Sequence, residues 1–411
     1  MKKGNLIRKI FYEISLLRYI NKPILILTLL FAILGAFLIL DASSISSVLT
    51  YGLDSPYYFF IRQLKFIAAS LLISLGVMLI PTRYYKFLSR LLSYAFIGVL
   101  AYVYFKNSLF SSDVTDVTLA LGNGKFQPAE FLKIFLIMYM GAYYGVWANK
   151  KRHAKLSFTI PLILCGVSAG LILFGGDVGS AAIMLALYAL VFMSVPTKEK
   201  WVRRTKYLAC GGLILCTLVL KFGYLVIPEK VLESDYRLNR LIYKSPCDRY
   251  EENSGYQVCN GYIAIDNGGM MGTGIGESVQ KYLYLPASHT DFIFPIVVEE
   301  LGVITGIAII ISYVVLIFLV FKVAIESVNL QNSIICYGIA IYFMLHIFVN
   351  LGGVLGIIPL TGVPLPFLSY GGSFCITVIC SFAIVQRIHI ENREEEHKKI
   401  LKGESKWKIQ R

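Results

Sequence analysis

At 411 residues the chain is long enough for two or three soluble domains, but 56% of it is hydrophobic and only 16% charged, well below the roughly 25% charged of ordinary globular proteins. With a mean hydropathy of +0.66 and repeated apolar runs of about 20 residues, most soluble folds are excluded, and an outer-membrane barrel is excluded because its spans would be short and alternating. The net charge of +14, which in a soluble chain points to nucleic acid, is read here against a membrane, and no nucleic-acid partner is expected.

The stretch 1–23 is basic, and Leu6, Ile7, Ile10, Phe11, Ile14 and Leu17 recur at helical spacing with Arg8, Lys9 and Glu13 opposite. This predicts an interfacial helix on the inner leaflet. The apolar run that follows lacks a small-residue cleavage site, so the stretch is read as a cytoplasmic segment and not as a signal peptide. Ten apolar runs then predict spans at roughly 24–41, 64–80, 88–105, 129–147, 156–174, 178–195, 207–227, 296–321, 333–357 and 370–388. With the N-terminus inside, about 27 of the 39 Lys and Arg fall on the inner side and about nine outside, with Lys65, Lys133 and Lys221 within spans. That excess places both termini in the cytoplasm. The tail 389–411 mixes Glu394, Glu395 and Glu396 with Lys398, Lys399, Lys402, Lys406 and Lys408, a solvated face against lipid headgroups. The expected fold is an all-α polytopic membrane protein of about ten transmembrane helices, with a membrane domain over 24–388 between the basic segment and the charged tail.

Between spans seven and eight lies an outer loop, 228–295, too long for a connector and too rich in Tyr, Ile and Gly for a disordered one; it is expected to fold onto the membrane domain. Cys247 and Cys259, twelve residues apart on the oxidising side, are spaced to close a short ring or to remain free thiols. Cys165, Cys210, Cys216, Cys336, Cys375 and Cys380 lie in or beside spans, where a small apolar residue is the default reading. Arg237 and Arg240, three apart, would turn two guanidiniums toward one anionic group or snorkel to headgroups. Gly268, Gly269, Gly272, Gly274 and Gly276 match neither phosphate-binding fingerprint, so a flexible turn is expected there in preference to an anion nest.

The stretch 280–302, QKYLYLPASHTDFIFPIVVEELG, sets His289 and Asp291 at the mouth of span eight and Glu299 and Glu300 about two turns deeper. Carboxylates in or near a span are expensive and point to function. Asp291, beside Phe292, Ile293 and Phe294, has the surroundings of a general base whose pKa is raised by desolvation, and also those of an N-cap for span eight. Glu130 and Lys133 open span four and Asp177 opens span six, so Lys133 is expected to pair with Glu130 or Asp177. Asn350 would hold a neighbouring helix or line the same cavity, and His346 reads as a core histidine. The Gly-rich stretch 352–373 carries Pro359, Pro364 and Pro366 and cannot form a continuous helix; a re-entrant outer loop over 359–370 is predicted, since broken backbone at membrane depth must be buried in protein or line a cavity.

The motifs FQPAEFLK (126–133), GGDVGS (175–180), YRLNRL (236–241), GYIAIDNGGMMGTGIGESVQKYLYLPASHTDFIFPIVVEELG (261–302) and PLTGVPLPFLSYGGS (359–373) run through essentially the whole chain. Together they resemble the shape, elongation, division and sporulation (SEDS) family, which includes FtsW, RodA and SpoVE. SVQKYLYLP and GYQVCNGYIAI look most like FtsW of low-GC Gram-positive bacteria, whereas PLPFLSYGG is shared with the elongation type. Two departures stand out: VTLALGNGK (117–125) replaces the family's Arg-Trp pair, and Gly175-Gly176 replaces Gln-Pro before Asp177.

The resemblance implies a peptidoglycan glycosyltransferase that polymerises lipid II, extending a glycan on undecaprenyl pyrophosphate, at the outer face of the cytoplasmic membrane and at the division septum. A class B penicillin-binding protein, divisome proteins and membrane lipids are the implied partners. Asp291 is the implied catalytic residue. Arg237, Arg240, Lys281 or a divalent cation (Mg or Mn) would offset the charge of the leaving pyrophosphate, and Gln280, His289, Glu130, Lys133, Asp177, Ser369 and Gly371 fall at the implied substrate site; no organic cofactor is expected. Two other readings stay open at this point: a lipid II flippase with Glu130, Lys133 and Asp177 along a headgroup path, and a non-catalytic scaffold for the transpeptidase.

Overall fold

The computed structural model describes residues 12–110, 118–121, 124–148, 155–197, 199–226, 243–251 and 253–402. A helix covers each of the ten predicted runs: α1 (Lys22–Leu49), α2 (Tyr58–Met78), α3 (Tyr85–Phe110), α4 (Pro128–Ala148), α5 (Lys155–Phe174), α6 (Val178–Ser194) and α7 (Lys200–Val226) precede the long loop. The loop contributes α8 (Asn253–Gly268), and α9 (Ile293–Glu326), α10 (Leu330–Val354) and α11 (Gly372–Leu401) complete the chain. Seven of the described helices are long and apolar enough to cross a membrane, and shorter apolar helices cover Thr159–Phe174 and Val178–Ser194. The all-α expectation needs one amendment: where the sequence departs from the family before α4, β1 (Leu119–Leu121) and β2 (Gly124–Phe126) pair antiparallel, Leu119 opposite Phe126.

Burial separates core helices from lipid-facing ones. The apolar windows of α11, α4 and α10 are 89%, 78% and 72% buried, against 17% in α2 and 28% in α9, so the first three form the centre of the bundle. In lipid there is no hydrophobic drive between helices, and close backbone approach at small residues supplies the contact instead. Gly145 of α4 shows it: a Cβ there would stand 2.9 Å from the Gln331 Cα of α10.

At the end of the bundle opposite Asp291, α11 runs unbroken past 388, so the expected boundary between membrane domain and tail falls inside one helix. Its buried Arg387 binds Glu13 at 2.6 Å and Glu391 at 2.8 Å and donates to the Met78 carbonyl at 3.1 Å, fastening the N-terminal segment to α2 and α11. Residues 12–16 are helical; the remainder of the predicted interfacial helix lies outside the described residues.

Two breaks shape the end of the bundle that carries Asp291. Helix α9 is interrupted at Gly302 (φ 82°, ψ 165°), and the glycine run enters the gap: Val303 and Ile304 N–H donate to the Gly269 and Met270 carbonyls (2.9 and 3.4 Å), while Thr273 and Gly274 N–H donate to the Glu299 and Glu300 carbonyls (2.9 and 3.0 Å). The run expected as a flexible turn is therefore a fixed insertion that satisfies the backbone groups freed by the break, as low-dielectric surroundings require. The second break is the segment 355–371. Helix α10 stops at Gly356 (φ 60°), with Ile357 N–H on the Gly352 carbonyl at 2.8 Å, a left-handed glycine stop. The chain then descends until Phe367 stacks on Phe31 of α1 (centroids 5.6 Å apart) and Phe382 of α11 (5.5 Å), and the Pro366 carbonyl accepts the Tyr313 hydroxyl of α9. Gly35 of α1 has no room for a Cβ, which would lie 2.1 Å from the Phe367 carbonyl oxygen.

Candidate active site

The backbone around Asp291 is held at three consecutive carbonyls. His289 O accepts Tyr370 N–H (2.9 Å), Thr290 O accepts the Ser369 hydroxyl (2.6 Å), and Asp291 O accepts the Asn350 side-chain amide (2.8 Å). The same Asn350 amide donates to Val363 O (2.8 Å), and the Ser369 oxygen accepts Leu365 N–H (2.8 Å). One helix end and one broken segment thus clamp the residue from both sides. The carboxylate is partly exposed and accepts the Thr290 hydroxyl at 2.9 Å. Gly362 (φ 69°) passes close to it: a Cβ there would stand 3.6 Å from Asp291 Oδ2. The N-cap alternative for Asp291 is corrected, because Phe292 occupies the cap position of α9 and no side chain caps it.

Asp177 does cap its helix, accepting Ser180 N–H at 2.8 Å, and also takes the Gln127 amide at 3.2 Å. Gln127 N–H in turn donates to the Ser373 hydroxyl at 3.1 Å, and Gly179 abuts the Thr361 carbonyl. Asp177 therefore joins the first turn of α6 to the residue that precedes α4 and, through Gln127, to the first turn of α11, while Gly179 brings α6 against the broken segment that holds Asp291. The family departure at Gly175-Gly176 has a local reason, since Gly176 turns the chain at φ 91°, a conformation open to glycine.

Several site expectations change. Lys281, expected against the leaving pyrophosphate, is buried between Asp41 (2.8 Å) and Glu300 (2.7 Å). Burial alone would lower its pKa, but hydrogen bonds and charges from Asp41 and Glu300 outweigh that and raise it. Glu299 is equally committed, accepting the Ser278 hydroxyl, Val279 N–H (3.2 Å), Gln280 N–H (3.3 Å) and the Asn267 amide (3.1 Å). Gln280 is buried in this knot. Glu130 and Lys133 pair with each other at 2.8 Å, wholly buried, with the Tyr342 hydroxyl on the second Glu130 oxygen at 3.2 Å and His346 Nε2 4.0 Å from it; Lys133 takes Glu130 and not Asp177 among the described contacts.

His289 is no cation either. Its ring is buried against Phe59 (4.6 Å), Tyr370 (5.9 Å) and Tyr51 (6.0 Å), and burial lowers its pKa to about 4. Beside this wall Arg62 lies over Tyr58 and donates to its hydroxyl at 2.8 Å. Gly371 N–H reaches Gln63 Oε1 at 3.5 Å, tying the start of α11 to α2. Arg237 and Arg240 lie outside the described residues. Cys247 and Cys259 are joined in a disulfide (S–S 2.01 Å). Among the described residues no group of three or more His, Cys, Asp or Glu converges on a point that could hold a metal ion.

Gln127, Thr290 and Gly362 were not singled out by the sequence. Gln127 had a usable signal, a polar side chain immediately before the Pro that opens α4; Gly362 is recognisable only by its fold partners.

The chain matches the FtsW/RodA/SpoVE family, described as cell cycle protein, over residues 21–394. It belongs to that family. It is 32% identical over 380 residues to the probable peptidoglycan glycosyltransferase FtsW of Bacillus subtilis, covering 90% of this chain and 92% of the relative, and 33% identical over 280 residues to that of Enterococcus hirae, covering 67% of each. Among solved structures, a chain from "Structural coordination of polymerization and crosslinking by a peptidoglycan synthase complex" superposes with a TM-score of 0.68 at 21% identity, covering 91% of this chain and 98% of that one. RodA of Thermus thermophilus superposes with a TM-score of 0.62 at 19% identity, covering 91% and 97%. This family member is a multi-pass membrane protein with the RodA fold.

Proposed function

We propose that the chain is a peptidoglycan glycosyltransferase that polymerises lipid II at the outer face of the cytoplasmic membrane, in septal wall synthesis, with all ten helices crossing, both termini inside and 359–370 re-entrant. The observation that carries this reading is the clamp on the carbonyls of His289, Thr290 and Asp291, which holds a partly exposed carboxylate where the ends of α9, α10 and α11 meet. Geometry of this kind suits a general base, which works only within hydrogen-bond reach of the proton it removes. In the proposed reaction the Asp291 carboxylate accepts the proton of the acceptor GlcNAc 4-hydroxyl while that oxygen attacks the anomeric carbon of the donor. The carbon–oxygen bond to undecaprenyl pyrophosphate breaks, and a single displacement converts the α-linked donor to a β linkage. His289 is buried in this wall and Asp291 is partly exposed, so Asp291 is the one of the two that a substrate hydroxyl could reach. Arg237 and Arg240 keep their proposed role toward the pyrophosphate, and a divalent cation, if used, would draw ligands from substrate as well as protein.

The FtsW names of the relatives support the activity and the septal role, and the likeness to a chain of a peptidoglycan synthase complex supports a class B penicillin-binding protein as partner. Against the flippase reading, Glu130 and Lys133 neutralise each other in full burial and offer no charged lining for a headgroup. The test is polymerisation of purified lipid II by the protein with its transpeptidase, wild type against Asp291→Asn, with and without a divalent cation. Loss of glycan from a folded, partner-bound variant is expected; near-normal polymerisation overturns the assignment, and a silent wild type beside an active control moves the transport and scaffold readings forward.

A further inference from the structure

Nine consecutive residues of the outer loop, 268–276 (GGMMGTGIG), carry no charge, with Asp266 on one side and Glu277 on the other. Their backbone is locked to the break in α9 by the four hydrogen bonds of Val303, Ile304, Thr273 and Gly274. The lock is tight: a Cβ on Gly272 or Gly302 would stand 2.1 or 2.3 Å from a carbonyl oxygen of the other strand. The height of the loop is therefore set by the height of Gly302. That glycine is the second residue of the uncharged stretch 301–321 between Glu300 and Lys322, whose 21 residues would measure about 31 Å as helix, close to the roughly 30 Å of a bilayer's hydrocarbon core. The loop tip thus sits at the outer boundary of the hydrocarbon.

With its polar backbone turned inward, the loop turns its side chains outward. Met270, Met271 and Ile275 are 64%, 81% and 78% exposed, an arrangement that water would penalise by some 25 cal/mol per Å² of apolar surface. The patch does not stand alone. Met270 O meets Ile304 N–H, and Ile304, Ile307, Ile311, Val314 and Phe318 form an exposed stripe at three- and four-residue spacing down α9. Such a stripe on a spanning helix is open to acyl chains, and the loop continues it toward the end of the helix.

We propose that 268–276 is a lipid anchor that seats Met270, Met271 and Ile275 among the outer-leaflet chains. Because the same loop leads through the Glu299 and Lys281 contacts to Asp291, the anchor also sets the height of that carboxylate above the hydrocarbon. The inference rests on the membrane placement of α9 and is independent of the catalytic reading.

The test uses the full chain in nanodiscs of phosphatidylglycerol and phosphatidylethanolamine. An environment-sensitive fluorophore is attached to Met271→Cys or Ile275→Cys in a Cys210→Ser, Cys216→Ser, Cys380→Ser background, with Asp54→Cys in the exposed α1–α2 connection as the aqueous reference. Both loop probes are expected to emit at shorter wavelength than the reference, to resist iodide and to be quenched by lipids carrying a nitroxide near the top of the acyl chain. Two sites guard against misfolding of either variant. Iodide quenching of both probes as complete as at position 54 overturns the proposal, and so does protection that appears only when the transpeptidase is added, which would assign the surface to a protein.

Discussion

Asn350 is the residue through which α10 holds the proposed base, and its replacement separates positioning from chemistry. Its amide makes two 2.8 Å hydrogen bonds, to the carbonyls of Asp291 and Val363, and the residue is only 3% exposed. Asn350→Leu keeps similar volume but leaves two carbonyls without their donor, at a cost of about 1–3 kcal/mol each. Part of that is recovered as the segment relaxes, so a stability loss of about 2–4 kcal/mol is expected, read by thermal unfolding in detergent. Relaxation also lets the Asp291 backbone move, and a displacement of about 1 Å costs on the order of 10²-fold in rate. In the lipid II polymerisation assay kcat should fall by about that factor while KM stays nearly constant, because in the proposed reaction Asn350 touches no substrate. A folded Asn350→Leu protein with kcat within about threefold of wild type, or with the whole defect in KM, would refute the clamp.

Lys281→Met should cost about 3–5 kcal/mol, since it leaves the Asp41 and Glu300 carboxylates unpaired against each other. Combining it with Asp41→Asn and Glu300→Gln should restore most of the loss in the same unfolding assay; a pyrophosphate-contact role would instead leave stability unchanged and depress activity. His289 supplies a pH dependence. Its folded pKa of about 4 lies below the ordinary 6.5, so the neutral ring contributes fully above pH 6.5 and the contribution is lost as pH falls toward 4, reaching about 3 kcal/mol. His289→Phe should flatten the stability profile across that window, and an unchanged profile would contradict the buried neutral ring.

Much of the architecture was legible in the residues because each membrane helix must satisfy its own backbone and so writes its position as a local apolar run; all ten runs coincide with helices. The break at 352–373 was legible for the same reason, since its prolines cannot donate within a helix. The location of Asp291 at the mouth of span eight also followed from local sequence. The disulfide is a middle case: spacing allowed Cys247 and Cys259 to meet, and α8 brings them together.

Choice of partner was another matter. That Lys281 turns to Asp41, 240 residues away, and not to the proposed leaving group depends on where α1 crosses α9. That Asn350 and Ser369 hold the carbonyls around Asp291 depends on how far the broken segment descends before α11 begins. The glycine run looked like a loose turn because its reason lies in the break at Gly302 and in the carbonyls that the break frees. Hydropathy and chain breaks are properties of neighbours in sequence, so the residues alone determined where the helices and their interruptions lie. Pairing of buried charges and carbonyls joins groups that only packing makes neighbours, so the tertiary structure alone decided which polar residues are spent on the fold and how the backbone around Asp291 is held.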